Sequence, residues 1–228
     1  MAQNLVKKVV TQNFLLYKLY SMFRVGVFKE RRNYVTSNTT FCVEGYPSSA
    51  NTYFQYLLGY MLPDEIYAHH THSLASVKES KLKNMPVVIL IRQPVNTVAS
   101  RVVRFDYDLD KAIDEYISFY QYINNNLDRF FILTFDEIIN SDFSDLFKYI
   151  EAHNRKIDRN LTKRAEDYSQ KRIEFKEKDE SFVALPSEQK NKKKEEIKAI
   201  IQNHRNIDKA NALYSNIVEK RNKFLSNN

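Results

Sequence analysis

With 228 residues and 43% hydrophobic side chains, the chain is long enough for a domain with a hydrophobic core, and its three glycines argue against a β-rich fold with many tight turns. The single cysteine, Cys42, excludes an internal disulfide and favours a cytoplasmic protein, and no run approaches the roughly 18 apolar residues of a membrane span. A net charge of +7 favours an anionic partner, such as phosphate groups, a polyanion or a membrane surface.

The first predicted element is an amphipathic helix over residues 4–23, in which lysines interrupt apolar side chains at near-helical spacing. These lysines make the segment too charged for the apolar core of a signal peptide. We expect the helix to pack on the domain, with peripheral contact to a membrane as the alternative. Residues 1–35 are thus predicted to form an N-terminal helix and linker.

Residues 40–155 alternate between predicted strands and helices. The strands are predicted at 40–44, 65–70, 86–91 and 130–135. The helices are predicted at 50–61, 73–83, 95–104, 108–125 and 142–153. The uninterrupted apolar run at 86–91 is typical of a buried parallel strand, and we expect Cys42 to be buried in the core. This alternation predicts an α/β fold with a central parallel sheet flanked by helices.

The last part of the chain, residues 156–228, is charged and predicted to be mainly helical. It contains an irregular loop around Pro186 and a final helix from about residue 195 to 224, with a break at 203–206. The three parts together are predicted to form a single domain.

Ligands of parallel sheets bind beyond the carboxyl ends of the strands, and three of the predicted ends carry polar clusters. They are the loop at 46–53, the histidines at 69–72 and a segment that begins at Arg92. The loop has small and hydroxyl side chains before a helix, as in a phosphate cradle, because N–H groups at a helix N-terminus favour an anion. It lacks the lysine and glycines of a Walker A motif.

Together these three strand ends resemble the sulfotransferases that use 3′-phosphoadenosine 5′-phosphosulfate (PAPS). The family's 5′-phosphosulfate loop, commonly Y-P-K-S-G-T-T-W, reads YPSSANTY at residues 46–53. Its tyrosine, proline, serine and second threonine match Tyr46, Pro47, Ser49 and Thr52. Tyr53 is an aromatic replacement for its tryptophan.

The two other motifs follow in the family's order. The K-T-H motif reads His70-Thr71-His72, and the 3′-phosphate motif, a strand-end arginine followed eight residues later by serine, reads Arg92 and Ser100. The segment 133–138 is similar to the family's Y-E-D-L.

The resemblance implies a P-loop-like nucleotide-binding fold, PAPS as the sulfuryl donor and no required metal. The implied nucleotide contacts are Pro47, Ser48, Ser49, Ala50, Asn51, Thr52, Tyr53, Arg92 and Ser100. A fork-shaped arginine suits the doubly charged 3′-phosphate, and a histidine that titrates near neutral pH suits removal of the acceptor proton. We therefore assign His72 as the general base and His70 as a second catalytic candidate. The expected acceptor is a hydroxyl or amine, such as that of a glycan or small alcohol, and we expect no nucleic-acid partner.

The chain departs from the family at two cations, since Ser48 replaces the loop lysine and His70 replaces the lysine of K-T-H. Removal of one hydrogen-bond donor from an oxyanion hole is the nearest analogy. By that analogy, losing a cation at the leaving group destabilises the transition state by on the order of 2.7–4 kcal/mol. The candidate substitutes are a protonated His70, Lys171, Arg172 and Lys190, and the last two are also candidates to cover the 3′-phosphate.

Other interpretations of the same residues stay open. Arg92 alone is also consistent with an ordinary ion pair to a carboxylate, and His70 and His72 with loop histidines or a pair of metal ligands. One alternative function is a non-catalytic nucleotide- or polyanion-binding protein of the same fold. The other is a phosphotransferase, which requires a loop lysine and an aspartate that holds Mg²⁺.

Overall fold

The computed structural model describes residues 14–28, 34–177 and 188–226. Within these ranges the strands are β1 (Phe41–Gly45), β2 (Tyr67–His69), β3 (Val87–Ile91) and β4 (Phe131–Thr134). The helices are α1 (Phe14–Phe28), α2 (Asn51–Met61), α3 (Leu74–Leu82), α4 (Pro94–Phe105), α5 (Leu109–Asn124), α6 (Phe135–Ile139), α7 (Ser144–Ala152), α8 (Thr162–Glu177), α9 (Glu188–Gln202) and α10 (Ile207–Ser226).

The described strands form one parallel sheet in the order β2-β1-β3-β4. The register places Val43 beside Val88 and Leu90 beside Leu133. Because all neighbours are parallel, the carboxyl ends of the strands lie along one edge of the sheet. The predicted parallel sheet is therefore confirmed.

Side chains alternate between the two faces of each strand, so the sheet buries a hydrophobic cluster on either side. On one face, Cys42, Val87 and Ile89 pack with apolar side chains of α4, α5 and α10. On the other face, Val43 and Val88 pack with α2, α7 and α8. The predicted α/β class with flanking helices is confirmed, and burial of Cys42 raises the pKa of its thiol to about 12.

The end of β4 differs from the prediction, which extended this strand to Phe135. Thr134 accepts a hydrogen bond from the Glu137 backbone N–H, and the Glu137 carboxylate accepts from the Thr134 N–H. This capping box starts α6 directly after the strand, so Phe135 is helical.

The ends of the chain follow the prediction in part. The N-terminal helix is observed over Phe14–Phe28, and residues 4–13 of the prediction lie outside the described residues. The break predicted at 203–206 is confirmed between α9 and α10, whereas the predicted loop around Pro186 lies outside the described residues. Among the described helices, none has the length and hydropathy needed to cross a bilayer.

Candidate functional site

The three polar clusters predicted from the sequence meet at the carboxyl edge of the sheet. Arg92 Nη1, after β3, donates to the Ser48 carbonyl in the loop after β1 at 3.1 Å. His70 Nε2, after β2, lies 3.1 Å from Thr52 Oγ1 in the first turn of α2. The loop at 46–53 is thus in contact with both neighbouring strand ends, as expected for one shared site.

The loop reaches α2 through two residues in the left-handed region of backbone space. Ser48 has φ 71° and Ala50 has φ 67°, and Ala50 occupies the position of the family motif's glycine. Non-glycine residues adopt this conformation at a cost of about 1 kcal/mol or more. Asn51 Nδ2 donates to the Tyr46 carbonyl at 3.0 Å and so stabilises the turn.

The N-terminus of α2 has the features of an anion cradle. Its first helical hydrogen bond runs from the Phe54 N–H to the Ala50 carbonyl, so the N–H groups of Asn51, Thr52 and Tyr53 precede it. No described side chain caps this end, and no acidic residue lies in the first turn. The positive end of the helix dipole therefore faces the loop without a neutralising carboxylate.

Gly45, the last residue of β1, permits close approach of β3. A Cβ atom at this position would lie 2.7 Å from the Leu90 carbonyl oxygen and 2.9 Å from Leu90 Cβ. Both contacts are shorter than van der Waals distances, so the start of the loop requires glycine.

Tyr46 fixes the loop to the helices on one face of the sheet. Its hydroxyl donates to the Ala112 carbonyl at 2.7 Å and accepts from Arg101 Nη1 at 2.6 Å. Arg101 also pairs with Glu115 at 2.6 Å and stacks on the Tyr107 ring. Through these contacts Arg101 holds the Tyr46 hydroxyl in place.

Glu44 organises the histidine loop that follows β2. Its fully buried carboxylate accepts hydrogen bonds from Thr71 N–H at 3.0 Å, Thr71 Oγ1 at 2.5 Å and His72 N–H at 2.9 Å. Burial raises the pKa of Glu44 to about 7, although these hydrogen bonds act in the opposite direction. The same bonds hold His70 and His72 at φ 61° and 50°, in the left-handed region.

His72 has the tautomer that a general base needs. Its Nδ1 lies 2.8 Å from the Gly45 carbonyl oxygen. A carbonyl only accepts, so the neutral ring carries its proton on Nδ1 and its lone pair on Nε2. A second ring is close, since the centroids of His70 and His72 are 5.6 Å apart.

His70 is placed against the loop that lacks the family's lysine. Besides its contact with Thr52, its Nδ1 lies 3.0 Å from Nδ1 of His69, so one of these nitrogens donates to the other. Two of the other candidate cations, Arg172 and Lys171, have described side chains. Arg172 on α8 lies 5.7 Å from the Tyr56 ring, Lys171 is exposed, and the side chain of Lys190 lies outside the described residues.

Arg92 faces the loop rather than a carboxylate. Its Cζ lies 3.8 Å from the centroid of the Phe135 ring, and the Tyr116 hydroxyl donates to its carbonyl at 2.8 Å. Within the described ranges Arg92 forms no ion pair, which disfavours the interpretation as a simple structural pair. Burial lowers its pKa, the nearby Asp136 carboxylate opposes that shift, and the Arg104 charge adds to it.

Ser100, which the resemblance pairs with Arg92 at the 3′-phosphate, is not joined to Arg92 in the structure. It is 5% exposed on α4, and no hydrogen bond links the two side chains, both of which are described. Neither Glu44 nor the ion pair between Arg101 and Glu115 was predicted from the sequence. The only signal for Glu44 was an acidic residue at the end of an otherwise apolar strand.

No known protein-family model matches this sequence, and no curated protein is significantly similar to it. The likeness to sulfotransferases therefore depends on the three short motifs and on their position in the fold.

Proposed function

We propose that this protein is a sulfotransferase that moves a sulfuryl group from PAPS to an acceptor hydroxyl or amine. One observation carries the proposal: the uncapped start of α2, the Arg92 guanidinium and the His72 imidazole converge at adjacent carboxyl ends of a parallel sheet. Few reactions require an anion cradle, a second cationic contact and a neutral base at such positions, and sulfuryl transfer from a bisphosphorylated nucleotide is one of them.

The residues suit separate parts of the donor. The N–H groups of Asn51 to Tyr53 and the hydroxyl of Thr52 provide donors for the 5′-phosphosulfate. The Arg92 fork, with Ser100 farther along α4, provides charge-assisted hydrogen bonds for the 3′-phosphate.

The acceptor is activated by His72. Its Nε2 lone pair takes the proton of the acceptor hydroxyl while the acceptor oxygen forms its bond to sulfur. The bond that breaks joins sulfur to the bridging oxygen, and the electron pair stays on the 5′-phosphate. His70 is the group best placed to replace the missing loop cation, because it contacts Thr52 at the start of the cradle.

Donor binding is tested by calorimetric titration of 3′-phosphoadenosine 5′-phosphate into the wild type and Arg92→Ala. Charge-assisted hydrogen bonds contribute about 1.5–3 kcal/mol, so the variant should lose about ten- to hundredfold in affinity. Arg92→Lys keeps the charge and loses the fork, and should bind between the two. Arg129→Ala, which removes an exposed arginine paired with Asp128, is the matched control and should bind like the wild type. Equal affinity of the wild type and Arg92→Ala would refute the assigned 3′-phosphate contact.

Transfer is tested with radiolabelled PAPS and a panel of carbohydrates, amines and small alcohols. General-base catalysis contributes about 10²- to 10⁴-fold, so His72→Ala should lose most of the transfer rate and keep its affinity for nucleotide. His153→Ala removes an exposed histidine whose Nδ1 contacts the Tyr149 carbonyl, and should be fully active. An unchanged rate in His72→Ala would show that another group takes the proton.

The second candidate function is nucleotide binding without transfer, and the absence of any basic side chain from 46–53 favours it. Ser48→Lys distinguishes the two. If the protein is a slow sulfotransferase, restoring a cation worth about 2.7–4 kcal/mol should raise its transfer rate about 10²- to 10³-fold. If both proteins bind the nucleotide and neither transfers sulfate to any acceptor, the protein is a binding module.

A further inference from the structure

The exposed face of α1 is apolar, which is the reverse of an ordinary surface helix. Its exposed apolar side chains, with their exposed fractions, are Leu15 (70%), Leu16 (40%), Leu19 (66%), Met22 (65%), Phe23 (55%) and Val27 (60%). Surface helices of globular proteins normally direct such a stripe toward the core and polar side chains toward water.

These positions form one continuous band along the helix. At about 100° per residue they fall within an arc of about 140°, together with Gly26. Lys18 borders this arc, and its side chain is exposed. We call the six apolar side chains the α1 apolar face.

The opposite side of α1 is fixed to the domain. Tyr17 is 1% exposed and packs in a cluster with Tyr34 and Ala75, and its ring centroid lies 5.9 Å from that of Tyr34. Ser21, also buried, donates to the Lys18 carbonyl at 2.8 Å. Since Ala75 belongs to α3, this packing presents the apolar face outward on a helix anchored to the folded core.

The positive charge of the protein is concentrated around this helix. Residues 1–32 contain seven lysines and arginines and one acidic residue, whereas residues 33–228 contain 28 basic and 27 acidic residues. Six of the seven net positive charges therefore belong to α1 and its flanking sequence. An exposed apolar helix face in a basic stretch of sequence suits an anionic bilayer, which offers apolar burial and attraction to phosphate charge.

We propose that the α1 apolar face binds the surface of an anionic membrane, with the helix axis in the plane of the interface. At about 1.5 Å per residue its 15 residues extend roughly 22 Å, which suits an interfacial helix and is too short for a span. Pairing with a second copy is disfavoured, because the two strongly basic segments would meet at the interface and repel. The inference is independent of the function proposed for the sheet edge.

The test is co-sedimentation of the full chain with vesicles of phosphatidylcholine alone or mixed with phosphatidylglycerol. The wild type should bind the mixed vesicles at least tenfold more tightly than the neutral ones, and added salt should weaken that binding. Leu19→Asp/Met22→Asp should lower the affinity at least tenfold. Leu82→Asp, which changes a leucine 72% exposed on α3, is the matched control and should bind like the wild type.

Circular dichroism and size-exclusion chromatography complete the experiment. Both substituted positions are exposed, so the double variant should keep the wild-type spectrum. Binding to neither vesicle, or equal binding to both, would overturn the proposal. A dimeric wild type that becomes monomeric in the double variant would also overturn it, because the apolar face would then be a protein interface.

Discussion

The buried carboxylate of Glu44 makes the stability of this protein fall as the pH rises, whereas most acidic residues have the opposite effect. Burial raises its pKa from 4.5 to about 7 in the folded state. Between these values the folded protein holds a proton that the unfolded chain releases, so stability falls as the pH rises through this window. A carboxylate whose pKa is lowered by folding gives the reverse dependence, in which stability rises with pH.

The size of the effect follows from the same two values. Integrating the linkage relation from about pH 5 to about pH 8 gives a loss of about 2.5 kcal/mol of unfolding free energy from this one group. Glu44→Gln removes the titration. Its amide oxygen still accepts from Thr71, but the backbone N–H of His72 loses its acceptor, which costs about 1–3 kcal/mol at every pH.

The assay is urea unfolding of the wild type and Glu44→Gln across this pH range. The stability of the variant relative to the wild type should rise by about 2.5 kcal/mol from about pH 5 to about pH 8. Glu151→Gln, which removes an exposed carboxylate paired with Arg159, should shift stability by less than about 1 kcal/mol. Parallel curves for Glu44→Gln and the wild type would show that burial does not raise the pKa of Glu44.

Three further substitutions test the loop after β1 by the same unfolding measurement. Ala50→Gly should stabilise the protein by about 0.5–1 kcal/mol, since φ 67° is unfavourable for alanine, and a loss of stability would contradict the observed turn. Gly45→Ala should destabilise it by about 1–3 kcal/mol because its Cβ would meet Leu90, and a neutral result would mean that β3 lies farther away. Tyr46→Phe should cost about 1–3 kcal/mol by removing the hydrogen bonds that the buried hydroxyl makes with the Ala112 carbonyl and Arg101, and a smaller loss would show that water replaces the hydroxyl.

The sheet could be predicted because its strands are buried on both faces. Such strands appear as uninterrupted apolar runs, as at Val87–Ile91, and their alternation with helical patterns dictates parallel connections. The end of β4 could not be placed because Phe135 continues the apolar run. Only the capping box of Thr134 and Glu137 ends the strand, and hydrophobicity does not report it.

The polar residues at the strand ends were also predictable, because a parallel sheet brings them to one edge. The contacts that hold these polar residues in place could not be predicted. Glu44 is one residue from the strand end, and its burial depends on the loop at 70–72 folding back over it. The pairing of Arg101 with Glu115 depends on how two helices, α4 and α5, pack against each other, which local sequence does not specify.

The choice among substitute cations likewise needed the structure. The sequence offered four candidates, three of them on a charged C-terminal segment without a motif. We propose His70 because it contacts Thr52, and it does so because β1 and β2 are neighbours in the sheet. Ser100 shows the opposite case, since its spacing from Arg92 fits the family motif while no hydrogen bond joins the two described side chains.

The central claim, that this sheet edge holds a nucleotide with phosphates at both its 3′ and 5′ positions, is tested most directly by comparing two ligands on the wild-type protein. Calorimetric titration with 3′-phosphoadenosine 5′-phosphate and with adenosine 5′-phosphate isolates the 3′-phosphate. We expect the bisphosphate to bind at least tenfold more tightly, because the 3′-phosphate is the part of the nucleotide assigned to Arg92. Equal affinities for the two nucleotides, or binding of neither, would contradict it.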